Sequence, residues 1–599
     1  MTANEINLLG LLQGPRHFTI PIYQRPYSWK LEDCEKLFND ILQVGRDASR
    51  KSYFMGSVVY YQATAHAAIG TVPASLVIDG QQRLTTSILL LTAIYRLLKE
   101  QGEPVPGVSS EEIRALYLTN QFKTGEMSQR LLLTKRDKET LIAVVNTNPL
   151  PEHSSERVRE NFEFFQKKVT ADNVADLWNG INKLMVVGVS LEAGVDNPQL
   201  IFESLNSTGR PLDQADLIRN YVLMGQVPSV QTELYDKHWY PMESAFGEAY
   251  STMFGEFMRD FLTMKAGDLV SIWTVYQHFK NNYAAGRVGA EQVEGLVEEL
   301  YHHATYYVRL RQPEKEEHAG LRAALERLIS LGIGVAYPYL LSAYAASAAG
   351  LVSKDGLVEI VEIIEAYLMR RAVCGLPTNT LNSTFASFGN QLKGSDYLTD
   401  VKAHFLGMGW ARRFPNDMEF RQQFIARDAY HFGKRHFLLS NLENYKRKEF
   451  VNIGDYTIEH IMPQNENISE AWQTELGQEW EAVHQKYLHT IGNLTLTGYN
   501  SEMSDRPFAE KKMLEGGFID SPIKLNKSVA AEPVWNETAI LKRADMLADW
   551  AIAIWPAPQV AEPVAVTEEE VDEEAEEAAL VEAGLLEPDP SDEQEQLAI

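Results

Sequence analysis

Only two cysteines occur in 599 residues, Cys34 and Cys374, far apart in the chain. That excludes a disulfide framework or a cysteine-rich zinc site and fits a reducing compartment. Long apolar runs are missing too. The longest, Ser87 to Leu98, is too short to span a bilayer and contains Arg96. The opening Met1-Thr2-Ala3-Asn4-Glu5 has no basic segment followed by an apolar one, so no signal peptide is expected and the cytoplasm is the expected location. No Gly-x-x-x-x-Gly-Lys-[Ser/Thr] segment occurs, which removes the P-loop route to phosphate. A positive balance is also absent: the net charge is −27. Residues 562–599 hold fifteen of the acidic side chains and no Lys or Arg, and the other 561 residues still carry −12. Any nucleic-acid site must then be a local basic groove on an acidic protein.

The length predicts several domains, and the apolar fraction of 45% is enough for a sizeable core. The organising stretch is Val77-Ile78-Asp79-Gly80-Gln81-Gln82-Arg83-Leu84-Thr85-Thr86. It reads as the end of a buried strand, a tight turn and a helix with Leu84, Ile88, Leu91, Tyr95 and Leu98 on one face. A helix N-terminus offers free N–H groups and the positive end of a dipole, and Arg83 adds a guanidinium fork that grips phosphate in two places. A plain junction with a solvated polar turn fits the same residues.

Upstream, Pro21-Ile22-Tyr23-Gln24-Arg25-Pro26-Tyr27-Ser28-Trp29 is an aromatic and basic loop bracketed by prolines. Its rings either stack on a base or are core aromatics around a loop. Leu31 to Leu42 reads as helix, and Tyr53 to Tyr61 and Lys183 to Leu191 as strands. Asn206-Ser207-Thr208-Gly209 is a polar turn ahead of Asp213, the expected N-cap of a helix. From about 226 to 400 the pattern is helical. Leu357, Ile360, Val361, Ile364 and Leu368 form a stripe that ends at Gly375, the expected C-cap. Arg370 and Arg371 are read either as DNA-backbone contacts or as charges complementing a helix end. Arg412-Arg413, Lys434-Arg435-His436 and Lys446-Arg447-Lys448 are either a phosphate footprint or solvated helix faces.

The sharpest chemistry lies at 455–512. Asp455 to Gln464 is strand-like and contains Glu459-His460-Ile461-Met462-Pro463. His489-Thr490-Ile491-Gly492-Asn493-Leu494 follows, then Asn500, then Lys511. Taken singly, each has a structural reading: a His before Pro, turn asparagines, a surface lysine. His484 and His489 rival His460 as a base but lack its proline context.

Taken in order, these motifs resemble the GmrSD family of modification-dependent restriction enzymes. The resemblance covers about 1–230 and 400–550. It implies an α+β, multidomain chain with a ParB/sulfiredoxin-like nucleotide-binding domain (1–230) and an HNH (ββα-metal) nuclease domain (401–555); the helical pattern between them reads as a largely α-helical connector (231–400), and the Ala, Pro and Glu composition at the end as an acidic disordered tail (556–599). It further implies that Gln24, Arg25, Asp79, Gly80, Gln81, Gln82, Arg83 and Asn206 bind a nucleoside triphosphate (ATP, GTP, CTP or UTP), with Asp79 also serving its hydrolysis. His460 is the implied general base, Glu459 and Asn500 the implied ligands of one Mg²⁺ or similar divalent ion, Asn493 a brace or orienter of His460, and Lys511 a neutraliser of the phosphate. Glu459 and Asn500 stand where the simplest pattern of such nucleases has Asp and His. The implied substrate is double-stranded phage DNA with modified bases, such as glucosylated or methylated cytosine. The large helical middle permits a homodimer. A nucleotide-switched DNA-binding regulator with an inactive nuclease domain, and a pure nucleotide hydrolase, are the competing readings.

Overall fold

The computed structural model describes residues 1–13, 17–62, 74–102, 105, 107–121, 123–192, 196–206, 213–287, 289–392 and 396–561. The chain forms two compact units, Met1–Gly255 with Phe279–Glu299, and Glu256–His278 with Leu300 onward. The segment 231–400, expected as a helical connector, is divided between the two units. The acidic tail from 562 lies outside the described residues.

The first unit is built on a mixed six-stranded sheet. Its strands are β1 (Thr2–Asn7), β2 (His17–Thr19), β3 (Tyr53–Gln62), β4 (Ala74–Asp79), β5 (Leu131–Leu132) and β6 (Leu184–Leu191), in the spatial order β1-β6-β3-β4-β2-β5. β6 runs parallel to β3, and β2 runs parallel to β4 and β5, while β1–β6 and β3–β4 are antiparallel. The helix Gln81–Gln101 starts one residue after β4 ends. The expected apolar stripe is buried, but so are Thr85, Thr86, Ser87, Leu89, Leu90 and Thr92. The helix is thus enclosed on all sides, a position that a single stripe does not announce. Its buried hydroxyls survive there because Thr85, Ser87 and Thr92 donate to carbonyls four residues back, at 2.9, 2.7 and 2.7 Å.

Two glycines set how tightly the helices Leu31–Arg46 and Val174–Ile181 approach. A Cβ on Gly45 would stand 1.8 Å from the Asp176 carbonyl oxygen, and one on Gly180 would stand 2.1 Å from that of Ile41. The backbones touch, and no side chain fits between them.

The second unit is mostly helical, as expected for the middle of the chain, with the helices Ala319–Ser330, Tyr337–Ala348, Lys354–Cys374 and Thr380–Gln391. Gly375 closes the third of these in the left-handed region at φ +67°. Arg370 and Arg371 are buried, which rules out the reading as DNA contacts, while Arg371 does lie in the last turn of its helix, as the helix-end reading expected. Arg370 donates to the carbonyls of Trp555 (2.7 Å) and Pro415 (2.9 Å) and to Asp417 (2.6 Å), and Arg371 donates to the carbonyls of Ala411 and Pro377. Each guanidinium ties distant segments together because it brings several donors in one rigid plane. The unit also contains a hairpin of β7 (Thr457–His460) and β8 (Leu494–Thr497), followed by the short helices Asn500–Met503 and Phe508–Met513.

Gly180→Ala is expected to lower the stability of the first unit by about 1–3 kcal/mol through overpacking. Gly225→Ala, at a helical position with no heavy atom within 4 Å of the added Cβ, should leave the melting temperature unchanged. Thermal unfolding of the two variants beside the parent chain checks this; equal melting temperatures would remove the close helix contact.

Candidate functional site

In the first unit the two motifs around the β4–helix junction are fastened to each other by amides. Gln24 donates from Nε2 to the Ile78 carbonyl at 3.0 Å, and Gln81 donates to that of Arg25 at 2.8 Å. Gln82 Oε1 accepts from the backbone N–H of Ser28 (2.9 Å) and Trp29 (3.2 Å). Tyr27 anchors the same loop, with its hydroxyl 2.6 Å from Thr86 Oγ1 and its N–H donating to Asp137 at 2.7 Å. Asn161 donates to the Trp29 carbonyl at 2.8 Å. The loop aromatics thus follow the core reading for Tyr23 and Tyr27, both of which are buried. Gln24, Gln81 and Gln82, placed by the sequence on a nucleotide, use side-chain amides to shape the loop.

The groups left facing outward are charged. Asp79 and Arg83 are each 32% exposed, 3.5 Å apart. Arg83 also donates to the Ser57 carbonyl at 2.9 Å, and Ser57 Oγ donates to Asp79 at 3.2 Å. Gly80 caps the helix at φ +97°, and Gly56, at φ +111°, leaves room for Arg83, whose Cζ would lie 2.9 Å from a Cβ there. Arg25 is partly exposed. Behind this surface Arg219, 2% exposed, donates to the Tyr23 carbonyl (2.9 Å), Asp216 (2.5 Å) and Glu243 (2.6 Å). Burial lifts the Asp216 carboxyl against the pull of Arg219, and Arg25 adds to that pull. Asp213 caps its helix as expected, accepting from Asp216 N at 2.7 Å. Asn206 ends the helix Pro198–Asn206; its side chain and residues 207–212 lie outside the described residues. Ser57 and Arg219 escaped the sequence reading, although both stand inside motifs it singled out.

In the second unit, successive residues of β7 point to opposite faces. Glu459 turns inward, 3% exposed, where Lys511 Nζ donates to its carboxylate at 2.6 Å and to the His460 carbonyl at 2.9 Å. Burial pushes Glu459 up and Lys511 down, and the attraction within the pair opposes both shifts. The two side chains expected at a cation and at a phosphate are thus paired with each other, through Glu459 Oε1. Lys511 is fully buried and cannot reach a phosphate. Asn500 is exposed and donates from Nδ2 to the Ile458 carbonyl at 3.3 Å.

Asn493 does brace the motif. Its Oδ1 accepts from Met462 N (2.7 Å) and Trp535 Nε1 (3.1 Å), and its Nδ2 donates to the Met462 (3.0 Å) and Leu488 (2.9 Å) carbonyls. All four hydrogen-bonding positions of the amide are filled, which makes it a structural staple and leaves nothing for substrate. His484 is likewise structural, with Nε2 2.9 Å from the Pro463 carbonyl.

His460 faces the other way. Its Nε2 lies 3.1 Å from Nδ1 of His489, and Tyr430 packs on both rings. Burial, with His489 and Lys511 adding, pushes the His460 imidazole down to about 3, so it is uncharged at neutral pH. His489 in turn sits beside His431 and Asp428, whose Nδ1 and Oδ2 are 2.8 Å apart. The Asp428 segment is zipped to the His489 segment through Ala429 N on the His489 carbonyl at 2.8 Å and a bridge from Asp428 to Thr490. Asp428 and His431 escaped the sequence reading. Their spacing of three was visible, but nothing in sequence joins them to His489.

Comparison with family models matches both ends of the chain. Residues 8–223 match the N-terminal domain of the GmrSD restriction endonuclease, and residues 414–550 match the C-terminal domain of GmrSD restriction endonucleases. A search of curated proteins found no match. The fold and the matches define a multidomain restriction nuclease, with DNA as its partner. The chain belongs to the GmrSD restriction endonuclease family. Among the described residues no helix is long and apolar enough to cross a membrane.

Lys511→Met should destabilise the second unit by about 3–5 kcal/mol, because the Glu459 carboxylate is left buried without its partner. Adding Glu459→Met should recover most of the loss, since replacing both members removes the unpaired charge. Urea denaturation of the single and double variants reads this. A single variant as stable as the parent would contradict the enclosed pair.

Proposed function

We propose that this enzyme cuts DNA carrying modified bases, as a defence against phage, and that nucleoside triphosphate bound by the first unit controls the cut. The observation that carries this reading is the co-occurrence in one chain of both GmrSD domain matches.

The proton acceptor for the attacking water is the His460–His489 pair. An imidazole that is uncharged at neutral pH is able to take a proton. When His460 donates its Nε2–H to His489, the lone pair on His460 Nδ1 is the base. When the proton sits on His489 Nδ1, His460 orients His489 instead. Both tautomers need His460. Arg83, held by Ser57 and Asp79, grips triphosphate oxygens, with Arg25 as a second cation at the same surface. Asp79 keeps Arg83 aligned and stays available to the water or metal that nucleotide hydrolysis requires.

One observation favours a second reading, a nucleotide-switched DNA-binding regulator with an inactive nuclease domain: the pairing of Glu459 with Lys511. The two readings part on cutting.

A digest panel of unmodified, methylated and glucosylated phage DNAs, with each divalent ion and each triphosphate in turn, tests the proposal. The parent chain should cut at least one modified DNA, and His460→Ala should reduce cutting more than a hundredfold. If no modified substrate is cut under any condition, the regulator reading replaces this one.

Arg83→Ala should weaken triphosphate turnover by tenfold or more, and cutting should fall with it. Loss of turnover with cutting untouched would break the coupling between the units.

A further inference from the structure

One basic cluster singled out in the sequence takes no part in the sites above. Lys446-Arg447-Lys448 lies in the connection between the helix Arg435–Asn444 and β7, and the fold builds that connection as a closed loop. The Asn444 side chain ties its two ends together: Oδ1 accepts from Val451 N at 2.7 Å, and Nδ2 donates to the Val451 carbonyl at 3.0 Å. Lys446 is held at φ +54°, a left-handed conformation that an L side chain rarely adopts. Arg447 turns inward and fastens the loop to its base. It donates to the Glu443 carbonyl at 3.1 Å, to the buried Glu443 carboxylate and to the Pro522 carbonyl at 3.0 Å. Lys524 donates to the Tyr445 carbonyl. What the loop presents is Lys446, Lys448, Glu449 and Phe450, all exposed. Phe450 is 76% exposed, so its ring adds nothing to the core.

We propose that the loop 445–451 is a DNA-inserting finger: Lys446 and Lys448 seat on backbone phosphates, and the Phe450 ring wedges between base pairs. The proposal rests on the reading of this enzyme as one that acts on DNA, and adds to it the residues that grip the duplex.

Three features favour a duplex as the occupant. The chain is strongly acidic, so phosphate approaches only where cations gather. They gather here: burial, with Arg447, Lys446 and Lys527 adding, pushes the Lys524 ammonium down against the pull of Glu443. Met418 is the contrast. It is 78% exposed but stands between Asp417 and Glu419, which repel a polyanion. The second feature is the pairing of an apolar wedge with flanking lysines on a loop that is already closed. Phosphate contacts offset the cost of unstacking a base step, and a pre-formed loop loses little freedom on binding. The third is reach. His460 follows Phe450 by ten residues, which span at most about 36 Å fully extended. One turn of B-DNA is about 34–36 Å, so wedge and base act on the same turn of one duplex.

Fluorescence anisotropy of the full-length chain on duplexes of about 30 base pairs, unmodified and with methylated or glucosylated cytosine, tests the finger. Binding is read with EDTA present, between about 50 and 200 mM salt. Phe450→Ala should weaken binding about fivefold or more and leave the slope of log K against log[salt] unchanged, because the ring neutralises no phosphate. Lys446→Ala combined with Lys448→Ala should weaken binding and flatten that slope by about 2, one for each phosphate released. Met418→Ala should bind within about twofold of the parent. 2-Aminopurine in the duplex should brighten when the parent binds and stay quenched with Phe450→Ala, since only a wedge unstacks it. All these side chains are exposed, and far-ultraviolet circular dichroism identical to the parent's shows that each variant is folded. Parental affinity and 2-aminopurine signal in Phe450→Ala overturn the wedge. An unchanged salt slope in the lysine double variant overturns the phosphate seat. Either result leaves the DNA reading standing, whereas a parent chain that binds none of the duplexes refutes that reading and the finger together.

Discussion

A polar group taken out of water must find a partner inside, or the fold loses more than the group contributes. Both motif regions are governed by that constraint. The amides of Gln24, Gln81, Gln82, Asn161 and Asn493 close onto backbone groups, and the charged Lys511, Arg219 and Arg370 close onto acids and carbonyls. What remains outward is a small remainder: Asp79, Arg83 and Arg25 in one unit, Asp428, His431 and His489 in the other. The chemistry proposed above draws on Asp79, Arg83, Arg25 and His489 from that remainder.

The two sites share a design. In each, a strand ends beside a tight turn, and a buried side chain belonging to the motif holds the backbone from behind. In the first unit the loop Pro21–Trp29 is fixed along its length before any ligand arrives, so Arg83 is presented by a rigid frame. In the second unit Asn493 fastens Met462, and with it the exit of β7, while Lys511 clamps the Glu459–His460 peptide from beneath. The glycine pair Gly45 and Gly180 plays the corresponding part at the helix layer, where the separation of two backbones is set by the absence of side chains.

Residue order made much of this legible. The turn residues, the Asp213 cap, the Gly375 stop and the strands β3, β4 and β6 follow from local chemistry and periodicity, and the motifs in order pointed to the family. The roles of Glu459 and Lys511 did not follow. An acidic residue next to a histidine reads as a ligand and a lone lysine as a surface charge, and only packing shows that each answers the other. The same holds for Arg370 and Arg371, whose position near a helix end described a surface that the fold buries.

By itself the sequence determined the kinds of element and the inventory of chemistry, because caps, turns and periodicity act over a few residues. Alternation along β7 was also in the sequence, but not which of its faces would be inside. Tertiary structure decided that. Setting β7 against the lysine helix Phe508–Met513 on one side and the Asp428–His431 segment on the other turned Glu459 into a buried counter-ion and set the buried His460 against His489, with His431 and Asp428 exposed beyond it. Residues far apart in the chain meet only when apolar burial has fixed the fold, and no local signal records whom they will meet.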